Sequence, residues 1–170
     1  MQSELKTNRL ILRDLSVDDY EDLHDIRFHP QVIKFIERER IEDKLEIKTF
    51  ITDRLKAIEN KSLCFWGITE QGSSKLIGTI CLWNFNPAKT VAEIGYELHP
   101  DHHTQGLMSE AMKAVLNFGF KQLHLNAIEA FTHKNNESSK ALLSKFNFKL
   151  DVQRKDDEYP DNIIYTLQYA

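Results

Sequence analysis

The sequence predicts a mixed α/β domain, and three observations support that prediction. Two segments near the N-terminus place apolar residues at helical spacing. Three β-rich runs joined by short turns follow, and helical and strand-like segments then alternate to the end of the chain. The predicted order is β-α-α-β-β-β-α-β-α-β-β. Because 170 residues suit one hydrophobic core, a single domain is expected over residues 1–170.

One strand and two helices are predicted in the N-terminal third. Residues 7–15 alternate leucines with mostly charged neighbours, which is typical of a strand. Ser16 and Asp19 have the spacing of a capping box and predict the start of a helix. Residues 28–40 fit no single pattern. A second helix is predicted from about residue 41 to 59 by Ile47, Ile51, Leu55 and Ile58.

Three successive strands are predicted at residues 62–70, 75–85 and 91–98. The turns "QGSSK" and "NPAKT" between them are short, so the strands should form an antiparallel meander. The remaining elements are a helix from Gly106 to about His124, a strand at 126–132, a helix at 136–146, and strands at 149–154 and 162–169. Asn147 can adopt the left-handed conformation that ends a helix, with Phe148 packing back on it.

The composition is that of an ordinary soluble globular domain, with 41% hydrophobic and 28% charged residues. The net charge of −4 argues against a basic nucleic-acid interface and favours cationic ligands such as amines. No run of about 18 apolar residues and no signal-peptide pattern are found, so no membrane partner and a cytoplasmic location are expected. Cys64 and Cys81 lack metal-ligand spacing, which favours buried free thiols.

The stretch "EIGYELHPDHHTQGLMSEA" combines a strand, a histidine-rich turn and the start of a helix. A helix N-terminus presents free N–H groups, and Gly106 would let an anion approach them closely. One glycine leaves a phosphate site, a metal site and a simple tight turn as alternatives. Pro100 separates His99 from His102 and His103, and no cysteine completes a tetrahedral ligand set, so no metal site is expected.

The segments "AEIGYELHP", "QGLMSEA" and "NNESSKALLSKFNF" together resemble the GNAT superfamily of acetyl-CoA-dependent N-acetyltransferases. The segments "TNRLILRDLSVDDYEDL" and "LIGTICLWNFNP" extend the resemblance to the RimJ/RimL-type branch, which acetylates ribosomal-protein N-termini. The resemblance implies the GNAT fold, a mixed and mostly antiparallel central sheet flanked by about four helices. It also implies acetyl-CoA as cosubstrate, no metal, and an amine acceptor, and it allows a homodimer.

The pyrophosphate loop of that family, Q/R-x-x-G-x-G/A, falls on residues 103–108. Gly106 matches, whereas His103 replaces Gln or Arg, Thr104 occupies a position that is often glycine, and Met108 replaces a small residue. The backbone N–H donors survive these changes, but Met108 could narrow the groove and weaken cofactor binding. The residues that the resemblance assigns to cofactor binding are Leu98, His103, Gln105, Gly106, Leu107, Met108, Ser109 and Asn136.

The resemblance implies direct acetyl transfer from the thioester to a neutral amine. Backbone N–H groups near Leu98 would stabilise the oxyanion, and Ser139 would hydrogen-bond the departing thiolate. Glu93 matches the position of a catalytic glutamate in some branches, with Tyr96 and His99 as alternative proton carriers. Ser139 also has a structural explanation, because Asn136 is a favoured N-cap residue and Ser139 would lie at the third helical position.

Four residues are expected to contact the acceptor or its proton. Strand alternation places Glu93 and Glu97 on one face, which predicts an acidic surface for a cationic amine, with a solvated strand face as the alternative. Trp83 and Phe85 are predicted to share a face and form an aromatic wall, with ordinary core packing as the alternative. The acidic loop "KDDEYPD" is expected to be a solvated hairpin tip or to attract a basic peptide.

Amine basicity favours an α-amine as the acceptor. At pH 7 an α-amino group of pKa about 8 is roughly 10% neutral, whereas a lysine of pKa about 10.4 is only about 0.04% neutral. A protein N-terminus or a small amine is therefore the expected acceptor. Two alternatives remain: a CoA-binding regulatory module without catalysis, and an unrelated α/β protein that binds another phosphate at Gly106.

Overall fold

The computed structural model describes residues 4–36 and 44–169, and its centre is one eight-stranded sheet. The strands are β1 (Leu5–Lys6), β2 (Leu10–Arg13), β3 (Cys64–Glu70), β4 (Leu76–Trp83), β5 (Val91–Leu98), β6 (Ala127–His133), β7 (Lys149–Asp151) and β8 (Asn162–Gln168). Their spatial order is β1-β2-β3-β4-β5-β6-β8-β7. Among these described strands, β5 and β6 form the one parallel pair.

Helices cover both faces of this sheet. They are α1 (Tyr20–Phe28), α2 (Pro30–Ile33), α3 (Lys44–Glu59), α4 (Leu107–Lys121) and α5 (Glu137–Lys145), with 3₁₀ turns at Val17–Asp19 and Pro100–His102. The predicted helices are confirmed, but the predicted start of the second one, at residues 41–43, lies outside the described residues. The ambiguous segment contains α2, and the short strand β1 was not predicted. No helix in the described ranges is long and apolar enough to cross a membrane.

Two local sequence signals fix helix ends as predicted. The Ser16 N–H donates to Asp19 Oδ2 at 2.7 Å, and the Ser16 hydroxyl accepts from the backbone at the helix start, which completes the capping box. At the end of α5, Asn147 has a φ of 63°. Phe148 N then donates to Leu143 O at 3.1 Å, so the chain reverses over the helix end.

Two hydrophobic cores lie on opposite faces of the sheet. The larger core packs α4 and α5 against the strands, with Met112 and Val115 fully buried. The smaller core packs α1 and α3 on the other face, with Ile26 and Ile51 at its centre. Both cysteines are free, as predicted, but they are half-buried and not fully buried. Burial raises the pKa of the Cys81 thiol to about 12.

The parallel pair β5–β6 separates after a short contact. Its register runs over three residue pairs, from Val91–Ala127 to Glu93–Glu129. Both strands continue beyond that point, but β5 then pairs with β4 alone and β6 with β8 alone. A wedge-shaped cleft therefore opens within the sheet, next to the N-termini of α4 and α5.

Candidate active site

The cleft contains two cavities that meet at a pair of hydroxyl groups. One cavity has a volume of about 510 Å³ and the other about 640 Å³. Tyr96 of β5 and Ser139 of α5 line both cavities, and Tyr96 Oη lies 2.7 Å from Ser139 Oγ. A molecule in one cavity would therefore meet a molecule in the other beside these two hydroxyls.

The larger cavity contains the N-terminus of α4. Gly106 is the N-cap with a φ of 76°, a left-handed conformation that glycine adopts readily. The first backbone bond of the helix is from Glu110 N to Gly106 O, so the N–H groups of Leu107, Met108 and Ser109 have no partner within the helix. These donors and the helix dipole make this end a site for an anion.

Side chains brace the loop before α4 through hydrogen bonds to backbone carbonyl groups. His103 Nε2 lies 2.8 Å from Leu98 O, and Gln105 Nε2 donates to Asp101 O at 2.9 Å. Arg9 donates to Gln105 O at 3.0 Å. Of the predicted cofactor residues, Leu98, His103, Gly106, Leu107, Met108, Ser109 and Asn136 line the cavity. Gln105 does not line this cavity, and its side chain holds the loop through Asp101 O.

Two further features of this loop have physical explanations. Thr104 has a φ of 60°, which explains why a glycine suits this position. Met108 lines the cavity and also packs against the larger core, so its side chain is partly withdrawn from the groove. Lys145 Nζ donates to Ser109 Oγ at 3.1 Å, which places a positive charge beside the free N–H groups.

The smaller cavity contains the acidic face of β5, as predicted. Glu93 and Glu97 both line it, but their carboxylates differ in environment. Glu97 is paired with Arg27 at 3.0 Å, and both side chains are largely buried, so the negative charge of Glu97 is neutralised. Because of this ion pair, Glu97 is less suited to bind a cationic amine than its position on the strand predicted.

Glu93 is a carboxylate of this cavity whose pKa is raised. Its pKa is raised to about 7, mainly by burial and in smaller part by the charges of Asp156 and Glu129, whereas a hydrogen bond from Asn84 opposes the shift. That bond is long, at 3.4 Å from Asn84 Nδ2 to Glu93 Oε2. A carboxylate with a pKa near neutrality can accept a proton and release it again at physiological pH.

The two predicted aromatic residues do not share a face. Trp83 lines the smaller cavity and is 43% exposed. Phe85 packs against the larger core on the other side of the sheet. Asn84 between them has a φ of 48°, which breaks the alternation of the strand. The prediction of a common aromatic wall is therefore wrong, and Trp83 alone keeps that position.

The backbone of β5 turns N–H groups toward the cleft. His99 N donates to Ile77 O at 2.8 Å, and bonded positions recur at every second residue of an antiparallel ladder. The N–H groups of Tyr96 and Leu98 therefore face away from β4, beyond the last β5–β6 pair. The contact of His103 with Leu98 O on that side agrees with this alternation. These donors have the position predicted for stabilising an oxyanion.

Sequence reasoning missed residues that reach the cleft from distant elements. Arg27 comes from α1, and no local pattern marks it. Asp156 belongs to the acidic loop "KDDEYPD", which was noted from the sequence but not assigned to the site, and which lines the smaller cavity. The helix cap was predicted: Asn136 Oδ1 accepts from Ser139 N at 3.1 Å.

In residues 4–36 and 44–169 no group of three or more His, Cys, Asp or Glu side chains is placed to hold a metal. His99 and His102 contact each other edge to face.

The site combines two adjoining cavities, one suited to an anionic ligand and one lined by acidic side chains. The chain belongs to the acetyltransferase (GNAT) domain family, whose model matches residues 9–149. The protein is therefore an acyltransferase of the N-acetyltransferase type, with the GNAT fold that the sequence predicted. The alternative of an unrelated α/β protein is wrong.

Relatives and solved structures agree with this assignment. The chain is 32% identical to the uncharacterized N-acetyltransferase YoaA of Bacillus subtilis (strain 168), over 95% of this chain and 91% of that protein. It shares its fold with RimL, a ribosomal L7/L12 α-N-protein acetyltransferase solved with coenzyme A, at a TM-score of 0.86, 17% identity and 98% coverage of both chains. A ribosomal-protein-S5-alanine acetyltransferase from Vibrio fischeri gives a TM-score of 0.83 at 16% identity, covering 98% and 97% of the two chains.

Proposed function

We propose that this enzyme transfers the acetyl group of acetyl-CoA to the α-amine of a protein or peptide N-terminus. The main observation is that an anion-binding cavity and an acidic cavity meet at Tyr96 and Ser139. RimL, an α-N-protein acetyltransferase solved in complex with coenzyme A, shares this fold and supports the choice of both substrates. A ribosomal protein in the cytoplasm is the acceptor that these neighbours suggest, and a homodimer stays a prediction.

The larger cavity is the proposed acetyl-CoA site. The N–H groups of Leu107, Met108 and Ser109 would hold the pyrophosphate, and Lys145 would add a positive charge. Asn136 lines the path between this helix end and the junction of the cavities. The thioester would lie at that junction, within reach of the Ser139 hydroxyl.

The smaller cavity is the proposed acceptor site, and Glu93 is its base. Glu93 takes the proton of the amine, directly or through a water molecule, so that the neutral nitrogen can attack the thioester carbon. The N–H groups of Tyr96 and Leu98 stabilise the negative charge on the carbonyl oxygen. Ser139 donates a hydrogen bond to the sulfur as the carbon–sulfur bond breaks.

The pKa of Glu93 favours an α-amine over lysine as the acceptor. Proton transfer from an α-ammonium of pKa about 8 to a carboxylate of pKa about 7 is uphill by only about 1.4 kcal/mol. The same transfer from a lysine ammonium, of pKa about 10.4, is uphill by more than about 4 kcal/mol. Glu93 is therefore a sufficient base for the first acceptor and a poor one for the second.

A panel of acceptors tests the proposal through release of free CoA. Peptides that begin with serine or alanine should turn over, and the same peptides with a blocked N-terminus and an internal lysine should be at least about 10²-fold slower, because of the difference in amine basicity. Ethanolamine and a polyamine serve as small-amine controls. Coenzyme A binding by calorimetry without turnover of any amine would instead favour the regulatory module.

The floor of the acceptor cavity gives a second prediction. Gly95 lies between Glu93 and Glu97 on β5, and a Cβ there would meet Cys81 Sγ at 3.1 Å and Trp83 Nε1 at 3.7 Å. Gly95→Ala should therefore fold, with a small adjustment of these side chains, and should raise the KM of the acceptor about 5–10-fold by narrowing the cavity. Coenzyme A affinity, measured by calorimetry, should stay within about 2-fold. An unchanged acceptor KM would show that the amine does not bind against Gly95.

A further inference from the structure

Tyr96 and Ser139 form a hydrogen bond at the place where the two cavities meet. Tyr96 projects from β5 and Ser139 from the first turn of α5, so their 2.7 Å contact joins the two sides of the cleft. Ser139 is only 8% exposed, and burial also affects Tyr96 strongly enough to raise the pKa of its phenol to about 12. The hydrogen bond is therefore shielded from solvent, in a region that both substrates would have to reach.

We propose that Tyr96 is a positioning residue for Ser139 in the acetyl transfer. The phenol of Tyr96 donates its hydrogen to Ser139 Oγ, so the hydroxyl hydrogen of Ser139 is directed at the thioester sulfur. This inference rests on the proposed function, because it needs a thioester at the junction. It adds a residue on β5 that acts on the leaving group through Ser139.

The 2.7 Å contact allows either hydroxyl to donate, and the proposal takes Tyr96 as the donor because this leaves the Ser139 hydrogen for the sulfur. At neutral pH the Tyr96 phenol keeps its proton, since its pKa is raised to about 12. A serine hydroxyl has one hydrogen and two acceptor sites, so a hydrogen bond received from Tyr96 leaves the serine hydrogen for another acceptor. The Ser139 N–H is held by Asn136 at 3.1 Å, which fixes the backbone but not the hydroxyl. Tyr96 is thus the partner that sets the hydroxyl rotation.

Ser139 donates a hydrogen bond in this scheme and does not give up its proton. A thiolate with a pKa of about 8.5 is a much weaker base than the phenolate of Tyr96 or a serine alkoxide, so full transfer along the pair would be uphill. The carbon–sulfur bond breaks with its electron pair on sulfur, which Ser139 stabilises. The nitrogen loses its second proton to water to give the neutral amide, and the thiolate takes a proton from water. Because hydrogen bonds in a chain polarise one another, the donation from Tyr96 strengthens that from Ser139.

A double-mutant cycle tests the inference. Ser139→Ala should lower kcat about 10²-fold, as loss of a transition-state donor does. Tyr96→Phe keeps the ring and removes the phenol, and should lower kcat about 5–10-fold. The double variant should be no slower than Ser139→Ala, because Tyr96 acts only through Ser139. The KM for acetyl-CoA should stay within about 2-fold in all three variants, which a loosened fold would not allow.

Tyr165→Phe is the matched control, since Tyr165 is another buried tyrosine and lies on β8 in the larger core. Its kcat should equal that of the unaltered enzyme. Two results would overturn the proposed direction of the hydrogen bond from Tyr96 to Ser139. One is a double variant whose loss of kcat is the product of the two single losses, and the other is a Tyr96→Phe variant slower than Ser139→Ala. Normal kcat in Tyr96→Phe, with the unaltered enzyme active, would overturn the inference alone. An unaltered enzyme that binds coenzyme A but acetylates no amine would overturn both the inference and the proposed function.

Discussion

Glu93→Gln is expected to lower kcat about 10²–10³-fold, because an amide cannot take the proton of the attacking amine. The unaltered enzyme should gain activity as the pH rises through about 7, where Glu93 ionises. The variant should lack that step in its pH–rate profile. Initial rates of CoA release between pH 5.5 and 9, with a serine-initiated peptide, measure both effects. An unchanged profile would show that another group is the base.

The same substitution should stabilise the fold at high pH. The folded-state pKa of Glu93 is raised from 4.5 to about 7, so between these values the folded state binds more protons than the unfolded state. Stability therefore falls as the pH rises through this window, and the penalty for burying the charge is complete above pH 7. Glu93→Gln removes a penalty of about 1–3 kcal/mol at pH 8, reduced by the partial solvent contact of the side chain.

Denaturant unfolding at pH 5 and pH 8 measures this change in stability. The variant should exceed the unaltered protein at pH 8 and differ little from it at pH 5. Glu70→Gln is a suitable control, because Glu70 is a carboxylate at the end of β3 and outside both cavities. A Glu93→Gln variant that is less stable than the unaltered protein at pH 8 would mean that interactions in the folded state compensate the charge of the Glu93 carboxylate.

Gly106→Val is expected to weaken coenzyme A binding by at least about 10²-fold. The substitution strains a left-handed residue and adds a branched side chain whose Cβ lies 3.6 Å from Arg9 Nη2, so the turn that presents the N–H groups of α4 should shift. Each hydrogen bond to a charged group contributes about 1.5–3 kcal/mol, so the loss of two accounts for this change. Isothermal titration calorimetry with coenzyme A measures the Kd.

Gly72→Val separates backbone strain from loss of the site. Gly72 has a φ of 82° in the turn between β3 and β4, with no atom near its missing Cβ. Both substitutions should therefore lower the free energy of unfolding by a similar amount, about 1–2 kcal/mol. Only Gly106→Val should lose coenzyme A affinity. Equal coenzyme A affinity in the two variants would show that the pyrophosphate does not bind at the α4 N-terminus.

Local signals made much of the fold predictable from the sequence. The capping box at Ser16 and the left-handed stop at Asn147 depend on a few adjacent residues, so their patterns are sufficient to predict them. Strand β1 has only two residues and α2 only four, and such short elements depend on their neighbours in space. Phe85 was assigned to the wrong face because strand alternation assumes regular backbone, and Asn84 interrupts it.

The site was less predictable, because its chemistry depends on contacts between distant elements. The resemblance to the GNAT family indicated Glu93 and Ser139, but not the ion pair that Arg27 forms with Glu97, 70 positions further along the chain. The raised pKa of Glu93 depends partly on Asp156, which approaches from another loop. Tyr96 was considered only as an alternative proton carrier, and its contact with Ser139 is visible only in three dimensions.

The open edge of β5 and the free turn of α4 offer main-chain groups, and every residue type except proline supplies the same N–H. Ligand binding through main-chain N–H groups tolerates substitution of the side chains around them. A loop with one matching glycine therefore presents the same row of N–H groups as a loop with two. On the proposed function, the cofactor site depends on backbone shape more than on the identity of the side chains around it.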